Sequence, residues 1–371
     1  MTDAAVDPLL APELLKSAAQ RFWALVLMEQ SALQHLPPPD LMERLAALLA
    51  PLIGGVAVEV AACSPAPDGE LPGAFRLVFT AHGDLLRFAA VQVLVDTAPP
   101  ELPWAVEAFR QRSPEGFGMR MDGFELASRD VLLRVGCLEG KVALALSFAK
   151  PVPMDMREHA RQMAFILLDH MLGEFDFSVK VGVVEFEDDS DGLSDDAGFD
   201  RYPPTPLDEA VALVDACWRG DLARNAQYPA EPHRWAALEG VDALGVPIIV
   251  QVNRSANAVV ARADLGWRVQ ARMRVADAAQ VQAAQRFEEA WLAAACLHQQ
   301  GICTHVVLRE GVRTVHCYVA DAAHAMAAAH AAQASAAAAA VPAAVPASPS
   351  IEAVHEPDWS GFLSWYVECA P

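Results

Sequence analysis

Two five-residue phrases, Trp104-Ala105-Val106-Glu107-Ala108 and Trp267-Arg268-Val269-Gln270-Ala271, share the pattern W-x-V-x-A. In an extended chain alternate side chains point to the same face, so Trp, Val and Ala would line one side of a strand. Each phrase follows an apolar run and precedes a helical pattern and a closing strand or hairpin. The repeat predicts two related α+β units. A length of 371 residues agrees, because single cores stop growing at roughly 250 to 300 residues.

The elements fall into five stretches. Residues 1–186 read as an N-terminal α+β domain: helices at Leu14 to Leu36 and Leu41 to Leu52, separated by Pro37-Pro38-Pro39, then strands at Val56 to Ala62 and Ala74 to Thr80. A helix from Asp84 to about Val95 leads to the first W-x-V-x-A strand. Hairpins at Met119 to Leu126 and Val131 to Phe148 turn at Asp122-Gly123 and Glu139-Gly140. Asp155, with Glu158 three residues on, is placed to cap a helix that Gly173 ends, and Phe175 to Phe186 reads as the closing strand. Residues 187–206 are acidic and Pro-containing and read as a linker.

Residues 207–321 read as a C-terminal α+β domain. It has a helix at Leu207 to Trp218, strands at Arg234 to Leu238, Val246 to Asn253 and Gly266 to Val275, a long helix capped by Asp277 and stopped by Gly301, and a hairpin at Ile302 to Val319 turning at Glu310-Gly311. Residues 322–350 are rich in Ala and Pro and read as a linker. Residues 351–371 form an acidic aromatic segment. Trp359, Phe362 and Tyr366 recur on one helical face beside Trp365, so the segment is expected to dock reversibly on a partner or on its own chain, and removing it should leave both domains folded.

The phrase Gly173-Glu174-Phe175-Asp176 through Lys180-Val181-Gly182-Val183-Val184-Glu185-Phe186, after Leu167-Leu168-Asp169, resembles bacterial proteins grouped as domain-of-unknown-function family 695. So does the second half, with Gly245-Val246-Pro247 before a strand, then the Trp267 strand, a long helix and the Gly311 hairpin ending in Tyr318. The resemblance spans most of residues 10–320. It implies two tandem ferredoxin-like α/β sandwich domains with antiparallel sheets, consistent with an internal duplication, and a binding or regulatory role, since members can stand beside regulator or toxin-immunity genes. It brings no established catalytic residues.

Composition narrows the function. Asp and Glu outnumber Lys and Arg by 48 to 27, for a formal charge of -21, and such a surface repels phosphate backbones, so nucleic acid is not an expected partner. Mean hydropathy is +0.21, but the best apolar stretch, Leu45 to Cys63, is broken by Pro51, Gly54-Gly55 and Glu59, so no membrane association is expected. Asp3 and Asp7 stand where a secretion signal would carry basic residues. Seven cysteines without C-x-x-C pairing fit reduced thiols in the cytoplasm.

Catalytic signatures are sparse. G-x-S-x-G and the common Gly-rich phosphate loops are missing from the sequence. In the last hairpin a two-residue turn at Glu310-Gly311 places His305 opposite His316, with Cys303 two residues away on the same face, a pattern that could hold zinc. Strands also carry buried His and Cys for packing, and a one-residue slip separates such a set, so no metal or other cofactor is expected. Glu187-x-Asp189-x-Asp191-Gly192 opens like a calcium loop, but its first position is Glu and its twelfth is Gly198, so a solvated linker is the reading. Asp169-His170 suggests acid/base work, although His170 lies at the edge of an apolar stripe. Arg268, Arg272 and Arg274 share one strand face with Gln270 and could grip a partner or pair with carboxylates on their own sheet. Taken together the sequence favours a non-catalytic protein-binding regulatory or immunity-like factor, with partner contacts at Arg268, Arg272, Arg274, Trp359, Phe362, Trp365 and Tyr366. The alternative is a metal-assisted enzyme centred on Cys303, His305 and His316.

Overall fold

The computed structural model of the chain describes residues 12–62, 75–121, 123–187, 195–241, 244–339 and 349–367. Helices α1 (Pro12–Leu33) and α2 (Pro38–Leu49) form where apolar residues recur at helical spacing, and the extended Pro37 separates them, with Pro38 starting α2. Their buried stripes, Phe22, Trp23 and Val26 in α1 and Leu41, Leu45 and Leu49 in α2, pack on a sheet of β1 (Ala57–Ala62), β2 (Phe75–Thr80) and β3 (Ala105–Ala108). β1 and β2 are antiparallel; α3 (Phe88–Asp96) crosses from β2 to β3, which runs parallel to β2. Trp23 fastens the two layers, donating its indole N–H to Leu94 O at 2.8 Å and meeting the Phe79 ring edge-on at 5.7 Å.

After a hairpin of β4 (Gly118–Met121) and β5 (Phe124–Ala127), the chain builds β6 (Val131–Leu138) and β7 (Lys141–Phe148). Their turn has Glu139 and Gly140 at φ 49° and 74°, the two left-handed residues that a tight hairpin turn needs. Helices α4 (Arg157–Leu172) and α5 (Glu174–Lys180) cross to β8 (Val181–Phe186), parallel to β7, and β9 (Thr205–Pro206) completes a sheet of order β8-β7-β6-β9. The first half thus uses hairpin, helix, parallel strand twice, in two separate sheets. Three local expectations are corrected. A three-residue 3-10 turn, Met154–Met156, leads into α4, whose cap at Met156 has no side-chain hydrogen bond, so Asp155 does not cap it. Residues 175–180 are helical, because Gly173 at φ 76° breaks α4 and Glu174 and Asp176 favour a fresh helix N-terminus. The described part of the expected linker, from residue 195, is packed backbone: Ala197 and Phe199 are buried against Ala143 and Ala145, and a Cβ on Gly136 would stand 2.2 Å from Ala197 O.

The second half opens with α6 (Ala210–Ala216), continued by a π turn at Cys217–Asp221. It then adds β10 (Trp235–Val241), β11 (Pro247–Asn253), β12 (Trp267–Arg274), α7 (Ala278–Ala295), β13 (Gly301–Arg309), β14 (Val312–Val319), α8 (Ala322–Ala339), β15 (Ser350–His355) and α9 (Ser360–Tyr366). The strands form one antiparallel sheet of order β10-β11-β13-β14-β12-β15. Helices α7 and α8 share one face of it, with Phe287, Trp291, Ala325 and Ala329 in a core with Val269, Ala271, Val315 and Cys317. Trp291 donates to Ala325 O at 3.0 Å and joins the helices. As expected, Asp277 caps α7, accepting from Gln280 N at 2.9 Å, and Glu310-Gly311 turns the last hairpin.

Three larger expectations change. Trp104 is followed by β3, an outer strand of its sheet paired in parallel to β2 alone, whereas Trp267 begins β12, an inner strand antiparallel to β14 and β15; the two phrases are not equivalent, and the duplication built on them fails. The Ala-rich linker is helix α8 over residues 322–339, with Ala325 and Ala329 fully buried; the Pro-rich stretch at 340–348 lies outside the described residues. The aromatic tail is part of the core, not a reversibly docked segment. β15 pairs with β12 along Trp267↔His355 to Arg272↔Ser350. Trp359 and Phe362 are fully buried in the cluster that also holds Leu133, Val252, Ile302 and Tyr318, so the core runs without a break between the halves.

Candidate functional site

β8 is an outer strand, and among the described residues its outward edge has no sheet partner. A cleft opens on each side of it, and both share Ser178, Val181, Gly182 and Val183. The first, about 560 Å³, lies between β8, α4 and the turn after β2, with Phe165, Ile166 and Phe177 as apolar wall and Arg110, Asp169 and His170 as polar groups. The second, about 690 Å³, is bounded by Leu138, Lys141, Leu363 and Val367.

Glu174 holds the first cleft in shape. Its buried carboxylate accepts from the backbone N–H groups of Ala81 at 2.8 Å, Gly83 at 3.1 Å and Arg110 at 3.3 Å. This ties the start of α5 to the turn after β2 and to the end of β3, where His82 and Phe109 keep left-handed φ values of 52° and 62°. Such values in non-glycine residues persist only where their surroundings over-determine them. Arg110 reaches Asp169 at 3.0 Å and Glu59 at 3.2 Å. Burial raises the Asp169 carboxyl, opposed by the Arg110 charge and reinforced by Glu174. Asp169 thus spends its carboxylate on Arg110, while His170 meets the Phe117 ring edge-on at 5.5 Å. The neighbouring pair in the sequence does not assemble as an acid/base couple.

The structure separates the candidate metal set. His305 does pair with His316, and their rings stack at 4.1 Å. A bulge at Thr304, between the Cys303↔Cys317 and His305↔His316 pairs, turns Cys303 to the helix-covered face. One extra residue in a strand reverses which face the following side chains occupy. Burial keeps both imidazoles below their usual range, His316 at about 3, and raises the Cys303 thiol.

The arginine stripe divides as well. Arg268 is bound to Glu356 at 2.8 Å, and Glu356 also accepts from the Tyr318 hydroxyl at 2.5 Å and from Gly361 N at 3.0 Å. Gln270 donates to Glu352 of β15 at 2.6 Å. Only Arg272 and Arg274 of the stripe stand exposed. Trp359 donates to Leu265 O at 2.9 Å and stacks on Tyr318 at 4.0 Å. Phe362 is buried, and Trp365 and Tyr366 are half-buried against the core. Of the calcium-like phrase, Glu187 is paired with Arg134 at 2.8 Å, and Asp189, Asp191 and Gly192 lie outside the described residues.

One cluster carries no sequence signal. Among the described residues, ligand-type atoms of Cys137, Cys217 and Asp221 lie within 4.8 Å of one another. Their positions, 80 residues apart for the two cysteines, follow no spacing rule; only the packing of α6 on β6 joins them. The protein is a mixed α+β protein whose strands pair mainly antiparallel, and among the described residues no helix is long and apolar enough to cross a membrane. Comparison with family models, curated proteins and solved structures found no match for the chain.

Proposed function

We propose that this chain is a non-catalytic, cytoplasmic protein-binding factor, regulatory or immunity-like, that takes an extended cationic segment of its partner along β8. The observation that carries the reading is an open strand edge with a cleft on either face. A peptide added to such an edge gains affinity from main-chain hydrogen bonds and specificity from pockets that receive alternate side chains. The formal charge of -21 supports a cationic partner, because complementary fields speed encounter. Cys303 on the face opposite the histidine pair weighs against the metal-assisted alternative.

The test is selection of a displayed random-peptide library on the full chain. Enriched peptides should be extended and Lys- or Arg-containing. Val183→Arg, which puts a like charge and bulk between the clefts, should weaken them at least tenfold, about 1.4 kcal/mol. Leu86→Arg, at an exposed position that lines neither cleft, should not. Equal loss in both variants, or none, sinks the reading.

The likeness to domain-of-unknown-function family 695 belongs to this proposal, and so does a ferredoxin-like reading of the second half. The chain order β12-α7-β13-β14-α8-β15 and the sheet order β15-β12-β14-β13 support it. The unit so read begins at Trp267, not residue 207, and draws its second helix and last strand from residues 322–355.

A further inference from the structure

Cys137 lies near the end of β6 and Cys217 opens the π turn after α6, yet their sulfurs stand 3.0 Å apart. Two thiolates on one zinc ion stand wider, about 3.8 Å, since bonds of about 2.3 Å spread at a tetrahedral angle. Asp221 is engaged by Arg201 at 2.6 Å and by the Tyr202 hydroxyl at 2.9 Å. Beside the pair lies Arg224, only 1% exposed, its guanidinium 4.3 Å over the Trp218 ring, with Nη1 and Nη2 lacking hydrogen-bond partners among the described residues. Two guanidinium groups repel a divalent cation and favour a thiolate. The hydrogen bond from Cys217 holds the Cys137 thiol below its usual range, against burial. The chemistry favoured at this place is therefore that of a thiol pair. Disulfide closure asks the sulfurs to approach by about 1 Å, to roughly 2.05 Å.

We propose that Cys137 and Cys217 form a reversible disulfide by exchange with a low-molecular-weight disulfide such as glutathione disulfide. Cys137 is half-buried and Cys217 fully buried, so Cys137 is the attacking group and Cys217 the resolving one. The Cys137 thiolate attacks one glutathione sulfur, forming a mixed disulfide and expelling one glutathione thiolate. Cys217 loses its proton to the medium and attacks the Cys137 sulfur, breaking the mixed disulfide and expelling the second thiolate. Two protein thiols are oxidised and one glutathione disulfide is reduced to two glutathiones. The new bond ties β6 to the π turn and closes the chain between them, which includes α4, α5 and β8.

The full chain, reduced and then equilibrated in glutathione buffers of stepped ratio, is acid-quenched, alkylated and mapped without reduction. The expected product is a cross-link between the peptides holding Cys137 and Cys217, reversed by dithiothreitol, with a thermal midpoint several degrees above that of the reduced chain. Cys217→Ser should trap glutathione on Cys137; should that variant misfold, the wild-type map decides alone. Free alkylation of both residues in folded, oxidant-treated protein overturns the proposal. So does cross-linking chiefly through other cysteines, or stoichiometric zinc that Cys217→Ser releases.

Discussion

The stacked His305 and His316 illustrate how one residue's environment sets its chemistry. Both are buried, both are held neutral by burial, and Arg268 acts on each to the same end. His355, edge-on to Trp267 at 4.9 Å, is lowered by burial to about 4. A histidine with a folded pKa below its unfolded value binds a proton more readily when unfolded. Its native contacts are therefore fully effective above the unfolded pKa, near 6.5, and the molecule loses stability as pH falls from there toward the folded values of about 4 and 3. Urea titrations should show stability falling by about 2 kcal/mol per buried histidine between pH 6.5 and 5. His316→Gln, which cannot take up that proton, should flatten the slope. An unchanged slope in the variant would remove His316 from the account.

At the scale of elements, the outer strand β15 and the short α9 do what a tail is not expected to do. β15 satisfies the outer edge of β12, and Trp359, itself at a left-handed φ of 56°, fills the space over Tyr318. Truncation after Pro349 should therefore abolish the cooperative unfolding transition and cause aggregation, because it exposes the β12 edge together with an unfilled core. The milder Trp359→Ala should cost about 3 to 5 kcal/mol, read as a lower urea midpoint. A truncated chain that unfolds as sharply as the full one would show that the tail is dispensable.

For the whole molecule, the decisive fact is the continuous core. Leu133 and Leu144 of the first half share a cluster with Val252, Tyr318 and Phe362 of the second, and Lys141 bonds Asp358 at 2.7 Å across the same region. Chain length suggests two independent units, but shared burial couples them, since unfolding either half would expose apolar surface of the other. Tryptophan fluorescence and far-ultraviolet circular dichroism should trace one coincident urea transition. Two resolved transitions would show that the halves are energetically separate.

Much of the local structure was legible from the sequence, and for physical reasons. Helical spacing in α1, the cap at Asp277 and the turns at Glu139-Gly140 and Glu310-Gly311 are decided within a few residues by backbone preference and nearby hydrogen bonds. The His305↔His316 register followed from the second of those turns. The Thr304 bulge did not, because the cost of an unpaired strand residue is met by packing on both faces of the sheet, which no local pattern records. The same holds for W-x-V-x-A, which specifies strands but not their neighbours, and for the alanines of α8, helical by propensity but buried only because the sheet is there to receive them. The cleft-flanked edge of β8 and the meeting of Cys137 with Cys217 depend on contacts between residues far apart in the chain. Periodicity carries no information about such contacts, and the tertiary structure alone decided them.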